Sequence, residues 1–248
     1  MAQKSKSLSP FAKSLLNNVR KHCKRTGILE MKDVHTVLAC SGGVDSVAMM
    51  IIAKLLRFNV NDVVYVNHKM RHATECQKDV EVVKAATATL FPLAIVHERF
   101  TKSTPKNETD ARELRYAQLY EFYQNCGLSY MTVMTGHHLD DQIETFLMRA
   151  LKGAKLKALM GACPKRSLGW PNLILLRPLL TVSKNDLIEL VKEFGLEWHE
   201  DVTNEDSLIE RNFIRNELLP SILKKFPAAK NGLIETMIKL SEGINEEE

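Results

Sequence analysis

The chain has 248 residues, 45% of them hydrophobic and 26% charged, with a formal net charge of +4. That balance excludes a disordered or fibrous protein and fits one large α/β domain, alone or with a short extension. The mild positive charge permits a polyanionic partner without requiring one, and no apolar run is long enough to span a bilayer, so no membrane role is expected.

In chain order, the segment before Glu30 carries Lys, Arg and Ser but no acidic residue, a bias shared with organellar transit peptides. A docked helix accounts for it better. Ser9 can cap a helix with Pro10 at its first position, and Phe11, Leu15, Val19 and Cys23 then recur along one face. The cytoplasm is the expected location, with an organelle as the alternative. Cysteines 23, 40, 76, 126 and 163 are widely spaced and form no C-x-x-C pair, so they read as free thiols.

Apolar runs at 34–40, 63–66, 93–100 and 131–135 alternate with helical patterns at about 45–57, 74–91, 108–126 and 138–152. This rhythm predicts βαβ units: an α/β fold with a doubly wound parallel sheet flanked by helices, whose ligands bind beyond the carboxyl ends of the strands. Gly153 ends the fourth helix, and Lys155, Lys157, Lys165 and Arg166 then read as an exposed basic loop. LILLRPLL (173–180) resumes strand character, and Ser183 and Asp186 cap a helix to about Phe194. Helical patterns follow at about 208–225 and 228–242, before an acidic end at 246–248.

Directly after the first strand stands SGGVDS, residues 41–46. Ser41, Gly42 and Gly43 allow a tight turn that brings N–H groups and a hydroxyl close to phosphate, and the helix that follows offers its positive end. The loop lacks the lysine and spacing of the common nucleoside triphosphatase motif. Asp45 beside phosphates calls for a magnesium ion or a cationic substrate. Asp141 and Glu144 share a helix face at a spacing of three, and Asp140 and Glu144 at four, directly after the fourth strand. These carboxylates suit magnesium, an ammonium group, or both. His137 and His138 could join Asp140 and Asp141 around a transition metal, but no further His or Cys cluster completes such a site, and hydrogen bonding to backbone or nucleotide is the simpler role. Arg112 and Arg115 sit three apart and Arg211 and Arg215 four apart, either as solvated charge or as guanidinium clamps on phosphate or substrate.

SGGVDS resembles the pyrophosphate loop of N-type ATP pyrophosphatases, the PP-loop superfamily. Four further blocks are similar to the catalytic domain of tRNA(Ile)-lysidine synthases: VNHKMRH (66–72), with Met70 at a leucine position, ARELRY (111–116), TGHHLDDQIETFLMRALKG (135–153) and EDVTNEDSLIERNFIR (200–215). The resemblance implies an adenine nucleotide alpha hydrolase-like catalytic domain over 1–225, including an N-terminal helix at 1–27, and a short helical extension at 226–248. A full accessory tRNA-binding domain is not expected. The short form leaves open a compact enzyme, a truncated chain, or a homo-oligomer that shares tRNA binding.

The implied reaction uses ATP to adenylate the wobble cytidine of a CAU-anticodon tRNA(Ile), after which L-lysine displaces AMP. The implied catalytic residues are Asp45, Asp141, Glu144 and Arg112. ATP would be held by Ser41, Gly42, Gly43, Val44, Asp45, Ser46, His68, Arg71, Arg112 and His137, with Mg2+ on Asp45 and Asp141. Lysine would be held by Asp45, Asp141, Glu144 and Arg211, with the three carboxylates converging. For tRNA the residues are Arg149, Lys152, Lys155, Lys157, Lys165, Arg166 and Arg215. Alternatives are a related tRNA-cytidine thiolase, disfavoured by the lack of paired cysteines, a small-molecule amidating ligase, and a non-catalytic RNA- or nucleotide-binding module.

Overall fold

The computed structural model describes residues 8–170, 172–200 and 210–245. Contacts divide the chain into two compact units, the first within Met1–Gly136 and Pro164–Glu200, the second within His137–Cys163 and Asp201–Glu248.

The first unit is built on a six-stranded sheet ordered β3-β2-β1-β4-β6-β5. Its strands are β1 (Thr36–Ala39), β2 (Val60–Asn67), β3 (Ile95–Phe100), β4 (Met131–Met134), β5 (Lys165–Ser167) and β6 (Leu173–Leu176). The first unit's helices are α1 (Pro10–Arg25), α2 (Val44–Leu55), α3 (Ala73–Leu90) and α4 (Glu108–Cys126), and later in the chain α7 (Lys184–Glu193). Strands β3, β2, β1, β4 and β6 run parallel. Neighbouring strand residues serve opposite faces. Leu38 joins a core with α1, α2, α3 and α7, whereas Val37 joins Tyr116, Leu119 and Phe122 of α4. Helices therefore cover both faces, which is why the strands read as nearly continuous apolar runs. The strand order reverses between β1 and β4, so the crevice expected for a ligand lies at the loops after these two strands.

Two expectations need correction. The stretch read as a basic loop contains a short helix, α6 (Leu156–Leu159), in the second unit and the strand β5 in the first. β5 pairs antiparallel with β6 through a tight reversal in which Gly169 and Asn172 have φ of 94° and 67°, so the sheet is mixed rather than wholly parallel. LILLRPLL is strand only through Leu176. Pro178 lacks the N–H that a continued ladder needs, and Arg177 N–H turns instead to the carbonyl of Pro164 at 2.8 Å.

The N-terminal helix forms as expected. The Ser9 hydroxyl accepts from Ala12 N–H at 3.0 Å and donates to Glu193 of α7 at 2.6 Å, while Leu15, Val19 and Cys23 are buried. None of the described helices is long and apolar enough to cross a membrane.

The second unit contains α5 (Leu139–Leu151), α6, α8 (Glu210–Phe213), a π-helical turn at Ile214–Leu218, α9 (Leu219–Lys225) and α10 (Ala229–Asn245). Ile143, Leu219 and Met237 form its core, with Leu139, Phe146 and Leu147 packed around them. α5 ends through Gly153, at φ 66°, whose N–H donates to Ala150 while Ala154 N–H reaches Arg149. Residues 201–209 of the last motif and the acidic end at 246–248 lie outside the described residues.

Candidate functional site

In the first unit the strand-to-helix loop is shaped by close backbone approach. Gly42 has φ 84°, and a Cβ on it would lie 2.9 Å from Asp79 Cα. A Cβ on Gly136, in the loop after β4, would lie 2.6 Å from the Asp45 carbonyl oxygen. Only glycine fits either place, and the two loops at the sheet's reversal point thereby meet directly.

Gly43 caps α2 without a side-chain hydrogen bond, so the positive end of the helix opens on this loop. The buried Ser46 hydroxyl donates to Gly43 carbonyl at 2.8 Å and accepts from Ser41 N–H at 3.3 Å, fixing the turn from within, while Ser41 itself is exposed and Val44 is buried in the core. Asp45 points both carboxylate oxygens at the ammonium of Lys184, at 2.8 and 2.9 Å. A carboxylate at the positive end of a helix that faces phosphate suits Mg2+, which takes one or two carboxylates and completes its shell with water and phosphate oxygens, and here Lys184 holds the place of that cation. Among the described residues no group of three or more His, Cys, Asp and Glu is arranged to hold a metal ion.

Beside the loop lies a network centred on Asp79, which is 2% exposed. Its carboxylate accepts from Arg71 at 2.5 Å, from Tyr65 hydroxyl at 3.1 Å and from His199 Nδ1 at 2.7 Å. His199 Nε2 lies 3.0 Å from Glu75, and its backbone N–H donates to Gly42 carbonyl at 3.0 Å, tying the segment after α7 to the loop. Arg71, expected on ATP, is thus seated on a buried aspartate. Both ring nitrogens of His68 are buried with no hydrogen-bond partner. Burial, with Arg115 and Arg71 nearby, lowers its pKa to about 4, so the ring is neutral at physiological pH. Of the two arginines of ARELRY, Arg115 is the half-buried one near His68, and Arg112 is exposed.

In the second unit the HHLDDQIET and RNFIR blocks come together. Asp141 accepts from His138 N–H at 3.0 Å in a reciprocal capping box that starts α5. Glu144, one turn on, is 1% exposed. Arg211 on α8 donates to Glu144 at 2.8 Å through Nε and to Asp141 at 2.8 Å through Nη2. Arg215, in the π-helical turn, donates to both Glu144 oxygens at 2.7 and 2.9 Å. Burial raises the Asp141 pKa, but His138, Arg211 and His137 more than offset this, and the net shift is downward. Asp140 accepts from Lys230 of α10 at 2.6 Å. Asp141 and Glu144 are thus matched by the guanidinium groups of Arg211 and Arg215, and Asp140 by the Lys230 ammonium.

The basic residues expected at tRNA divide between the units. Lys155 and Lys157 are exposed on and before α6, Arg149 donates to Ala158 carbonyl, and Lys152 pairs with Glu210. Arg166 on β5 lies 5.6 Å from the Tyr116 ring centre, and Lys165 reaches the Gly27 carbonyl at 3.4 Å. Sequence reading missed Lys184, taken only as part of a helix start, and also Asp79 and His199, which belong to no local pattern. The one signal for Lys184 was its place just after the cap of the helix that follows β6.

A family model described as the PP-loop domain matches residues 11–222. The tRNA(Ile)-lysidine synthase of Treponema denticola is 30% identical over 240 residues, covering 93% of this chain and 50% of the relative. That of Thermus thermophilus is 34% identical over 202 residues, covering 79% and 37%. The chain therefore spans about half the length, or less, of these relatives. Among solved structures, the U34-tRNA thiolase NcsA from Methanococcus maripaludis, which carries a [4Fe-4S] cluster, shares the fold with a TM-score of 0.69 and 18% identity, covering 94% of this chain and 80% of that one.

Proposed function

Since the chain belongs to the PP-loop domain family, we propose that it is an ATP-dependent tRNA(Ile)-lysidine synthase that consumes ATP and L-lysine and releases AMP and pyrophosphate. The observation that carries this reading is the union of Asp141 and Glu144 with Arg211 and Arg215, which joins two blocks some seventy residues apart that resemble the lysidine synthases. The relatives of that name support the same substrate class.

In this reading the phosphate loop, from Ser41 to Ser46, holds the triphosphate through backbone N–H groups. Asp45 would hold Mg2+, which when bound neutralises phosphate charge. His68, neutral and unpartnered, hydrogen-bonds the nucleotide, and Arg71, Arg115 and Arg112 supply positive charge for the transferring phosphate. His137 serves the same nucleotide. The 2-oxo group of the wobble cytidine attacks the α-phosphorus, and the bond to the β-phosphate oxygen breaks to release pyrophosphate. The cytidine oxygen, a poor leaving group until it carries AMP, then departs as the lysine ε-amine attacks the ring carbon.

Asp141 and Glu144 supply the negative charge that draws the ammonium groups of lysine, whose ε-ammonium must lose a proton before it becomes nucleophilic. Arg211 orients these carboxylates and pairs with the lysine carboxylate; Arg215, Arg149, Lys152, Lys155 and Lys157 of the second unit, and Lys165 and Arg166 of the first, each contribute positive charge toward tRNA. A thiolase reading meets no cysteine pair in the sequence, and the fold shared with the archaeal thiolase does not distinguish the two chemistries.

The test is mass spectrometry of tRNA nucleosides after incubation with CAU-anticodon tRNA(Ile), ATP and lysine. Lysidine, with AMP and pyrophosphate in equal amounts, is the expected result. ADP and phosphate as tRNA-dependent products would remove the ATP-pyrophosphatase assignment. Incorporation of ammonia or sulfur, with lysine inert, would remove the lysidine assignment alone.

A further inference from the structure

Lys184 belongs to none of the motifs, yet its ammonium meets the loop carboxylate, at 2.8 and 2.9 Å from the two oxygens of Asp45. It opens α7 directly after Ser183, whose hydroxyl accepts from Asp186 N–H at 3.2 Å and donates to the Asp186 carboxylate at 2.7 Å. The backbone that carries Lys184 is thus fixed, whereas its four-carbon stem can swing. Lys184 and Asp45 are 40% and 32% exposed, and an ion pair in contact with that much water is weak enough to exchange partners. Asp45 sits in the first turn of α2, at the positive end of that helix, whose cap residue Gly43 brings no side chain. A bare carboxylate there would repel phosphate, and the lysine removes that repulsion.

We infer that Lys184 is a phosphate-binding residue of this loop. It balances Asp45 in the nucleotide-free chain, and it passes to the β- and γ-phosphate oxygens once a divalent cation engages Asp45. Its ammonium therefore belongs with the pyrophosphate portion of ATP and not with AMP. This deepens the ATP-cleaving reading above and rests on it.

Calorimetric titration of the full chain separates the two. In the presence of Mg2+, Lys184→Gln should weaken pyrophosphate binding by about tenfold, the loss expected for one charge-assisted contact, while AMP affinity stays within about twofold of wild type. Lys184→Arg, which keeps the charge, should retain most of the pyrophosphate affinity, and thermal melting of both variants checks that the fold is intact. In EDTA, Asp45→Asn should bind pyrophosphate more tightly than wild type, because the Asp45 charge no longer repels phosphate or competes with it for Lys184. Equal pyrophosphate affinity in Lys184→Gln and wild type, a parallel loss of AMP, or weaker pyrophosphate binding by metal-free Asp45→Asn would each overturn the role of Lys184. A wild-type chain that takes up neither ATP nor pyrophosphate would overturn the nucleotide reading itself, and this inference with it.

Discussion

The phosphate loop and the arginine–carboxylate cluster hold charge in opposite ways. In the first, backbone does the shaping, through Gly42 and Gly136, and the ionised pair Asp45–Lys184 stays in contact with water. In the second, side chains do the shaping, and Glu144 at 1% exposure is enclosed by two guanidinium groups. A solvated pair adds little to stability and can be rearranged by a ligand, whereas a buried pair is costly to break from one side. The loop is thus built to exchange ions, and the cluster is built to keep its geometry.

The sharpest way to break this contrast is at Glu144. Glu144→Gln should lower stability by about 3 kcal/mol in urea unfolding, because Arg211 and Arg215 lose the charge they surround. Under the proposed function it should also raise the KM for lysine while AMP transfer to tRNA persists. Loss of AMP transfer with unchanged lysine dependence would move Glu144 to the nucleotide. Asp45→Asn should do the reverse: pyrophosphate formation falls about a hundredfold or more, while unfolding free energy changes by less than about 1 kcal/mol. A large stability loss there would show that the pair is structural.

Gly42→Ala tests the backbone side of the comparison. It should cost about 2 kcal/mol and impair pyrophosphate binding, since the new Cβ meets Asp79 backbone at a positive φ. Gly127→Ala, at φ 65° with nothing within 4 Å, should cost only about 1 kcal/mol and leave binding alone. Equal effects would mean that the close approach to Asp79 is immaterial.

Protonation probes the fold of the first unit through pH. The lowered pKa of His68, about 4 against a reference of 6.5, means that the unfolded chain binds more protons at this ring than the folded chain between those values. Its contribution is complete above pH 6.5 and is lost as pH falls toward 4. His22, also lowered by burial, acts in the same direction. His68→Gln should flatten the slope of stability against pH in that window, and an unchanged slope would show that the ring is solvated.

Much of the first unit was legible because its information is local. The strand, the glycine turn and the helix start of SGGVDS are contiguous, and Ser9–Pro10 and Ser183 announce their helices by capping chemistry alone. The second cluster was legible only in part. Helical spacing put Asp141 beside Glu144 and Arg211 beside Arg215, but no periodicity states that the two helices pack. Lys184, Asp79 and His199 were silent because each acts through a partner far along the chain, Lys184 through Asp45 and His199 through Asp79. β5 was hidden for another reason: its three residues, Lys165, Arg166 and Ser167, are all exposed and carry no apolar alternation.

The least of the expected effects concerns those surface charges. Reversing Lys155 and Lys157 to Glu should reduce the salt dependence of tRNA binding by about one to two units in a log–log plot and leave ATP affinity unchanged. No change in tRNA binding would make them ordinary solvated lysines.

The short strand β5 also bears on how the protein behaves in a concentrated solution. Among the described residues the sheet ends in β5 on one side and in β3 on the other. The β5 rim is three residues long and carries two cations, a margin that resists growth by another strand. The β3 rim is twice as long and displays Ile95 at 60% and Phe100 at 51% exposure. Aggregation during refolding or storage should therefore begin at β3, and a lysine placed at Ile95 should raise the protein concentration at which turbidity appears, while the same change at Ser167 does little.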